Sequence, residues 1–525
     1  MSNPKKIEIN EQFRRALDLM ENSRKHVFIT GKAGTGKSTL LDLFRKTTAK
    51  QVAVLAPTGV AALNVQGQTI HSFCRFRLDI SPDKVKKISA KDGARATLYR
   101  KLEAVVIDEI SMVRADLLDC LEKFLRLNGP QPKQRFGGIQ MIFIGDLYQL
   151  PPVLTSADKT VFGLQYETPY FFSARILQEP AFHLEFVELE KIYRQSDQDF
   201  IGLLNAIRNR SVTEEELSLL NRSLNPSFVP DDEDFYIHLT STNDQAFKRN
   251  QEKLDRLPGK SSAYQAVIRG DFDRAAFPSD ERLEVKSGAQ VMLLNNDSLG
   301  RWVNGSIGRI TKIRRSKDED DAILVKLQDG PSVEVAPFRW QIFRFDYDEQ
   351  AKKIYSEAVG SFTQYPLKLA WAITIHKSQG KTFDKVVIDI GRGTFAHGQV
   401  YVALSRCTNL EGIVLRKAIQ KHHILMDYRV VHFLTRFQYQ KAEERLSYVD
   451  KVRMIEGAIA DRQKLEIVYL KPNDSKTRRR IRPEAIEMME YMGKRFEGLS
   501  AFCYQREEQR HFRIDRILEL KVLNS

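Results

Sequence analysis

The chain has 525 residues, of which 42% are hydrophobic and 29% charged, and this composition excludes a mostly disordered protein. One hydrophobic core does not serve a chain of this length, so several domains are expected. The formal net charge of +14 favours a polyanionic partner such as nucleic acid, because clustered lysines and arginines displace counterions from phosphates. Charge alone does not decide the class of partner.

Neither a membrane segment nor a cysteine site is indicated. No apolar run reaches the roughly 20 residues that span a bilayer, and residues 1–10 lack the hydrophobic region of a signal peptide. The four cysteines form no CxxC pair, which argues against a zinc site or a disulfide framework. We therefore expect reduced thiols, no membrane partner and a cytoplasmic protein, at the nucleoid of a bacterial cell.

The N-terminal part alternates short apolar runs with amphipathic segments. The runs that predict strands buried on both faces lie at 27–29, 52–56, 105–107 and 141–144. Between them, apolar residues from 117 to 125 recur at the spacing of one helix face. Alternating strands and helices are typical of a parallel, doubly wound sheet, and we predict such an α/β domain over residues 1–180.

A second α/β half follows and is divided by an insert. A helical pattern at 200–207 and strand-like runs at 235–239 and 385–390 predict this half over residues 181–253 and 365–430. Residues 254–364 change to a β pattern with turn signals at 304–305 and 329–330. This pattern predicts a small inserted β-barrel.

Two further segments have a distinct composition. Residues 81–101 hold seven lysines or arginines and two aspartates, which a solvated basic loop would explain. After a helical connector at 431–448, residues 449–525 show their own strand and turn pattern. This last segment predicts a separate small β-barrel domain.

A phosphate-binding motif follows the first predicted strand. The string GKAGTGKS at 31–38 matches GxxxxGK[ST], whose glycines let backbone N–H groups wrap phosphates at a helix N-terminus. Lys37 is expected to reach the β- and γ-phosphates of ATP, and Ser38 to ligate Mg²⁺. The residues predicted to bind the nucleotide here are Gly31, Gly34, Gly36, Lys37, Ser38 and Thr39.

Two carboxylates and one amide follow later buried runs. Asp108 is predicted to hold Mg²⁺ and Glu109 to polarise the attacking water. A solvated strand end is the alternative for this pair. Gln149 is predicted to sense the γ-phosphate, with a polar loop residue as the alternative.

These motifs together resemble superfamily-one helicases of the 5′-to-3′ class, most closely the petite-integration-frequency (PIF-type) family related to RecD. The likeness covers about residues 5–430, and the further strings that carry it are APTGVAA at 56–62, TIHSF at 69–73, FGG at 136–138, GDLYQLPP at 145–152, YRQ at 193–195, HKSQG at 376–380 and YVALSR at 401–406. The resemblance implies two RecA-like halves and an ATP-dependent DNA helicase that translocates 5′-to-3′ on single-stranded DNA and unwinds duplex or structured DNA.

The resemblance also assigns roles at the nucleotide. It implies that Gln12 contacts adenine, that Gln149 reports on the γ-phosphate, and that Arg194 and Arg406 are arginine fingers supplied by the second half across the cleft. A well-placed finger accelerates phosphoryl transfer by about 10³–10⁵. An exposed helix arginine is the alternative for each.

The family's single-strand channel is lined by residues that match Pro57, Thr58, His71, Phe73, His376 and Ser378. Base stacking explains the aromatic members, although His71 and Phe73 fit a core role equally well. The resemblance makes residues 81–101 a candidate strand-separating wedge, which family members carry as a small hairpin, and residues 254–364 a clamp. The implied partners are single-stranded DNA and tailed duplex DNA, with quadruplex or RNA–DNA hybrid left open, and a monomer as the motor.

The last segment resembles a WYL-type domain through residues 465–470, 478–483 and 510–517. Such domains bind nucleic acids or nucleotide-like ligands, so the resemblance implies a role in DNA binding or coupling. The string EGL at 497–499 stands near the expected Trp-Tyr-Leu, and a docking domain with solvated basic residues is the alternative.

Two other functional classes compete with the helicase. A nucleotide kinase needs only one α/β half, and the motifs at 376–380 and 401–406 argue against it. A ligand-sensing regulator with a decayed ATPase is disfavoured by the intact Lys37, Asp108 and Glu109. DNA-stimulated ATP hydrolysis separates the regulator from the motor.

Overall fold

The computed structural model describes residues 9–77, 79–89, 93–154, 162–163, 165–195, 197–316, 318, 320–348, 350–391, 396–491 and 493–523. The chain forms two compact units. One contains Met1–Leu204 and Glu214–Leu425, and the other contains Asn205–Thr213 and Met426–Ser525.

A parallel six-stranded sheet begins the first unit. Its strands are β1 His26–Gly31, β2 Val52–Ala56, β3 Gln68–Thr69, β4 Ala104–Ile107, β5 Gln140–Ile144 and β6 Leu184–Leu189, in the order β3-β2-β4-β5-β1-β6. The accompanying helices are α1 Glu11–Asn22, α2 Lys37–Thr47, α3 Gly59–Asn64, α4 Ile70–Cys74, α5 Gly93–Lys101, α6 Ala115–Asn128 and α7 Arg175–Gln178. Phe13 and Leu40 of α1 and α2 pack in one core with Ile29, Val106 and Ile142. The predicted α/β domain is present.

The position of β6 shows that the first half extends beyond its predicted end at residue 180. It pairs in parallel with β1, from His26 opposite Leu184 to Gly31 opposite Leu189. The first half therefore extends through residue 189. An edge strand is covered less completely than a central one, which explains why β6 keeps glutamates and lacks a continuous apolar run.

The second half has its own parallel sheet. Its strands are β7 Ile237–Thr240, β18 Ala372–Thr374, β19 Val386–Asp389 and β20 Ile413–Leu415, in the order β18-β7-β19-β20. The helices in this part of the chain are α8 Gln198–Arg208, α9 Glu214–Asn221, α10 Asn243–Arg256 and α11 Gln399–Leu404. Short helix α11 is buried at every residue.

The insert between β7 and β18 is built from antiparallel strands. They are β8 Ser262–Gln265, β9 Val267–Gly270, β10 Arg282–Val285, β11 Gln290–Leu293, β12 Ile307–Arg314, β13 Ala322–Leu327, β14 Ser332–Val335, β15 Phe338–Asp348, β16 Lys353–Gln364 and β17 Leu367–Leu369. Sheets β14-β13-β12-β11-β17 and β10-β8 share a core around Trp302, Tyr365 and Trp371, whereas β15-β16-β9 has a second core around Trp340 and Phe362. The insert thus consists of two packed parts and not of the single predicted barrel. It ends with β17 at residue 369, whereas the sequence predicted an end at residue 364.

A hairpin of the insert contacts the first half. Strands β15 and β16 form this hairpin, whose Ile354 amide donates to Gln51 Oε1 at 2.6 Å. The Phe345 amide donates to Gln68 Oε1 at 3.1 Å. The insert therefore bridges the second half, to which it is covalently joined, and the first.

The basic segment 81–101 contains helix α5 and a 3₁₀ turn at Pro82–Lys84. Its described residues form no strand, so they differ from the small hairpin that family members carry; residues 90–92 lie outside the described part. Tyr99 of α5 donates from its hydroxyl to the Phe73 carbonyl at 2.6 Å. A strand-separating role for the segment stays a prediction.

The C-terminal unit is a helix pair with an antiparallel sheet. Its elements are α12 Tyr428–Arg445, α13 Tyr448–Ala460, β21 Lys464–Leu470, β22 Lys476–Tyr491, β23 Lys494–Cys503, β24 Glu508–Arg513 and β25 Ile517–Leu523, with strand order β24-β23-β22-β21-β25. Ile455 of α13 packs with Ile467, Leu499 and Phe512. The predicted connector 431–448 thus belongs to this unit, whose longer segment begins at Met426, and a 3₁₀ turn at Ile514–Arg516 separates β24 from β25.

All four cysteines are free and buried. Among the described residues, no helix combines the length and apolarity needed to cross a membrane.

Candidate active site

The phosphate-binding loop joins β1 to α2. Gly34 and Gly36 have φ values of +81° and +86°, which residues with a Cβ atom rarely adopt. A Cβ atom on Gly34 would lie 2.5 Å from that of Arg194. The loop therefore needs glycine at Gly34 for both backbone conformation and packing.

Lys37 and Ser38 begin α2, with Thr39 next in the same turn. The Lys37 ammonium donates to the carbonyl oxygens of Gly31 and Lys32, at 2.7 and 3.0 Å. The side chain is thus folded over the loop, where the sequence places the phosphates of a nucleotide.

Asp108 and Glu109 follow β4 as predicted. Burial raises the pKa of Asp108, while a backbone hydrogen bond and nearby Lys37 oppose that rise. Burial also raises the pKa of Glu109, and the Asp108 charge raises it further. Glu109 has φ +50°, a left-handed conformation that costs energy in a residue with a side chain and is common at functional sites.

Arg406 follows α11 in the second half and is fully buried. Its guanidinium donates to the carbonyl oxygens of Val402 at 2.9 Å and Ser378 at 3.2 Å. Burial lowers the pKa of Arg406 and the charge of Arg194 lowers it further, whereas the Glu109 carboxylate opposes this. Arg406 is therefore close enough to Glu109 for their charges to interact.

Arg194 requires a correction. It follows β6 of the first sheet and packs on Gly34, so the second half does not supply it. Its guanidinium instead reaches the second half, where it donates to the carbonyls of Ser405 at 3.4 Å and Gly380 at 3.5 Å. Arg194 thus joins the phosphate-binding loop to the neighbourhood of Arg406.

Gln149 also lies between the halves. Its Oε1 atom accepts a hydrogen bond from Gln379 Nε2 at 3.1 Å. Next to it, Gly398 has φ +73°, and a Cβ atom there would lie 2.2 Å from the Tyr148 carbonyl oxygen. The start of α11 therefore packs directly on the loop that carries Gln149.

Gln12 lies on α1, where its Nε2 atom donates to Glu190 Oε2 at 3.4 Å. Glu190 directly follows β6, so this pair lies near the start of the loop that carries Arg194. The predicted contact of Gln12 with adenine stays a prediction.

The predicted DNA-contacting residues divide by burial. Thr58 is exposed and caps α3, accepting from the Ala61 amide at 3.2 Å. Pro57, His71 and His376 are half-buried, and burial lowers the pKa of both histidines. All four residues are thus at least partly exposed.

The predicted DNA contacts of the Phe73 and Ser378 side chains are wrong, because neither side chain is accessible to a DNA strand. Phe73 is 3% exposed and its ring packs edge-on against Tyr99 and Phe345. Ser378 is 0% exposed and its hydroxyl donates to the Ile375 carbonyl at 2.7 Å. Phe73 has a core role, and Ser378 helps to hold Arg406.

Tyr401 is a site residue that the motif analysis did not single out. Its hydroxyl accepts from the Ala33 amide of the phosphate-binding loop at 3.0 Å and donates to Asp146 Oδ2 at 3.5 Å. The first residue of the string YVALSR was visible in the sequence, but its partners lie hundreds of residues away. Sequence spacing gives no signal for such contacts.

Comparison with known proteins identifies the family. The model of the PIF1-like helicase family matches residues 8–217. The ATP-dependent DNA helicase Pif1 of Bdellovibrio bacteriovorus is 32% identical over 441 residues, covering 82% of this chain and 93% of the relative. The chain belongs to the PIF1-like helicase family. The resemblance predicted from its motifs is thereby confirmed.

Other relatives agree with this membership. The ATP-dependent DNA helicase PIF1 of Xenopus laevis is 35% identical over 424 residues, which cover 79% of this chain but only 62% of that relative. A crystal structure of Bacteroides Pif1 with ADP-AlF4 has a TM-score of 0.75 and 36% identity, covering 83% of this chain and 98% of the other. A Bacteroides Pif1 bound to ssDNA has a TM-score of 0.58 and 38% identity, covering 82% and 96%.

The C-terminal unit also has a family match. The model of the WYL domain matches residues 450–522, which span α13 and the five-stranded sheet. The predicted WYL-type domain is confirmed. In the string EGL at 497–499, Glu497 is exposed, whereas Gly498 and Leu499 are buried.

Proposed function

We propose that this PIF1-like helicase uses ATP to translocate 5′-to-3′ on single-stranded DNA and to unwind duplex or structured DNA, acting as a monomer. The observation that carries the proposal is the convergence of Lys37, Glu109 and Arg406 between two parallel sheets. A nucleotide kinase needs no second sheet, so the arrangement favours a motor. Opening one base pair costs only about 0.6–2.2 kcal/mol of stacking free energy.

The residues of the cleft divide the work of hydrolysis. Lys37 binds phosphate, Glu109 accepts a proton from water when ionised, and Arg406 and Arg194 neutralise charge that develops on the transferred group. The amide of Gln149 senses the γ-phosphate, and Gln12 recognises adenine. Each half thus contributes groups that act only when the cleft is assembled.

Mg²⁺ fits the oxygen donors at this site. The Ser38 hydroxyl and the Asp108 carboxylate are the ligand types that Mg²⁺ takes beside substrate phosphates. Because burial raises the pKa of Asp108, a nearby dication would favour its ionised form. Bound Mg²⁺ would neutralise phosphate charge.

For DNA, we propose that Pro57, Thr58, His71 and His376 contact the strand. All four lie at least partly exposed, on motifs that resemble the family's strand-contacting segments. The Bacteroides Pif1 complex with ssDNA supports single-stranded DNA as a partner, and tailed duplexes, quadruplexes and RNA–DNA hybrids remain substrates to be tested.

The C-terminal sheet is proposed to add to DNA binding or coupling. On β22, Arg478, Arg480 and Arg482 are exposed, with Arg479 buried between them, as strand alternation requires. The Arg482 guanidinium lies 5.5 Å from the centre of the Phe502 ring. Basic side chains beside an aromatic ring suit phosphates and bases, although Arg478 also pairs with Glu466 at 2.7 Å.

Lys37→Ala and tailed substrates test the proposal together. The variant should lose hydrolysis while single-strand affinity stays within about threefold, since Lys37 contacts phosphate and not the strand. Wild-type protein should unwind a 5′-tailed duplex and not its 3′-tailed counterpart. Strand affinity should fall with salt at a log–log slope of about −0.7 per neutralised phosphate. Retained turnover, or equal unwinding of both substrates, would refute the corresponding part.

A further inference from the structure

Tyr401 connects three parts of the cleft. It lies in the middle of α11 and is 4% exposed. Its hydroxyl accepts from the Ala33 amide at 3.0 Å and donates to Asp146 at 3.5 Å. Ala33 belongs to the phosphate-binding loop, and Asp146 follows β5 in the loop of Gln149. A single phenol thus ties the second half to two nucleotide-facing loops of the first.

The same helix leads directly to Arg406. The Ser405 amide donates to the Tyr401 carbonyl at 2.9 Å, and Arg406 Nε donates to the Val402 carbonyl at 2.9 Å. At the other end of α11, Gly398 packs against the Tyr148 carbonyl. The segment from Gly398 to Arg406 is therefore held at both ends and at its centre.

The electrostatics point to the same role. Burial lowers the pKa of both Arg194 and Arg406, the charge of Arg194 lowers the pKa of Arg406 further, and Tyr401 opposes the change at both. The phenol oxygen is thus near both candidate fingers. A shift of the Ala33 loop relative to Asp146 would move this oxygen and, through α11, the Arg406 guanidinium.

We propose that Tyr401 is a positioning residue whose hydroxyl couples the phosphate-binding loop to the placement of Arg406 during hydrolysis. The inference rests on the proposed ATPase function of the cleft. It assigns no bond making or breaking to the phenol. Tyr401 sets where the finger stands when the loop encloses phosphate.

Tyr401→Phe tests this coupling, because it removes only the hydroxyl. The DNA-stimulated kcat should fall about tenfold, while the KM for ATP and the affinity for single strands change less than about twofold, as expected when a transition-state contact is misplaced. Tyr428→Phe is the matched control, because Tyr428 is an exposed tyrosine at the start of α12. It should behave as wild type.

A double-mutant cycle separates positioning from a structural effect. Arg406→Lys keeps the charge but loses the planar fork, and adding Tyr401→Phe to it should cost less than about twofold more if both act through one group. If Tyr401→Phe lowers the melting temperature, Asp146→Asn, which alters the other end of the contact, should still reproduce the kcat loss with KM unchanged.

Two outcomes overturn the inference. One is a Tyr401→Phe kcat within twofold of wild type, and the other is a loss that multiplies in full with that of Arg406→Lys. Measuring Lys37→Ala in the same assay distinguishes failure of this inference from failure of the proposed function. If Lys37→Ala still hydrolysed ATP, the assignment of ATPase activity to the cleft would be wrong. If Lys37→Ala were inactive and Tyr401→Phe hydrolysed ATP at the wild-type rate, only the role proposed for Tyr401 would be refuted.

Discussion

Glu109 is a half-buried carboxyl group that we propose activates the attacking water. Glu109→Gln keeps the shape of the side chain but cannot accept a proton, so hydrolysis should slow by about 10²–10⁴ while ATP still binds. Single-turnover hydrolysis and equilibrium nucleotide binding measure the two effects. Hydrolysis within tenfold of wild type would assign the base elsewhere.

The same substitution should change how stability depends on pH. Burial and Asp108 raise the pKa of Glu109 above its ordinary value of 4.5, so above that pH the folded protein holds a proton that the unfolded chain has lost. Folding is therefore weakened as pH rises. In the absence of nucleotide, the melting temperature of Glu109→Gln should exceed that of wild type by more at about pH 8 than at about pH 5. An equal difference at both pH values would contradict this.

Arg406 is fully enclosed by backbone carbonyls and by α11. Arg406→Ala should reduce kcat by at least about 10², because a finger acts mainly in the transition state. The KM for ATP should change far less. A variant that raises only KM would show that Arg406 contributes uniform binding. Since the substitution also leaves the carbonyls of Val402 and Ser378 without their donor, its melting temperature is the necessary control.

Motif identity predicted which loops form the site, but not which side chains face it. The phosphate-binding loop, Asp108 and Glu109 lie where their strand and helix signals placed them, because those signals are local. Phe73 is covered by Phe345, which lies far along the chain, and Tyr401 meets Ala33 in the same way. Contacts of this kind depend on the assembled fold and leave no trace in residue spacing.

At the scale of elements, the β15–β16 hairpin is fixed to the first half by two glutamines of unequal burial. Gln68 is 3% exposed and accepts from the Phe345 amide, so Gln68→Ala leaves a buried N–H unpaired at a cost of about 1–3 kcal/mol. Gln51→Ala is the control, because Gln51 is half-buried and water can replace it at the Ile354 amide. Thermal unfolding should separate the two variants; equal losses would mean that the hairpin contact is not buried in solution.

Strands were predictable from the sequence where both of their faces are buried. The central strands β1, β2, β4 and β5 appear as continuous apolar runs, and all were placed correctly. Edge strand β6 has a mixed pattern and was assigned to the wrong half. The helix of segment 81–101 could not be distinguished from a hairpin, because packing of Tyr99 against Phe73 and Phe124 stabilises it.

At the scale of the whole molecule, the C-terminal unit includes a segment from the motor's part of the chain. Asn205–Thr213 belongs to this unit, and its Ile207 and Val212 are each 1% exposed. A chain cut after Tyr428 removes every other element of that unit. It should expose these side chains and lose solubility, so its activity would not report on the sheet.

A chain that ends after Leu446 makes the sharper test of the C-terminal sheet. It keeps α12, whose Val430, Val431 and Leu434 are buried, and removes α13 together with β21–β25. If the sheet contributes only to DNA binding or coupling, as we propose, the shortened protein should hydrolyse ATP at the wild-type rate when DNA is saturating. Because Ala442 of α12 packs with Leu470 and Leu518 of the sheet, solubility is measured first. Loss of the exposed arginines on β22 should weaken single-strand binding by about tenfold at moderate salt and flatten its salt dependence, since fewer phosphates are neutralised. Fewer base pairs should then open per binding event.

Arg480→Gln in the full chain is the matched point variant and should give a smaller change in the same direction. If the shortened protein binds and unwinds like the full chain, the sheet does not act on DNA, and a small ligand or a protein partner becomes the remaining role for the WYL domain.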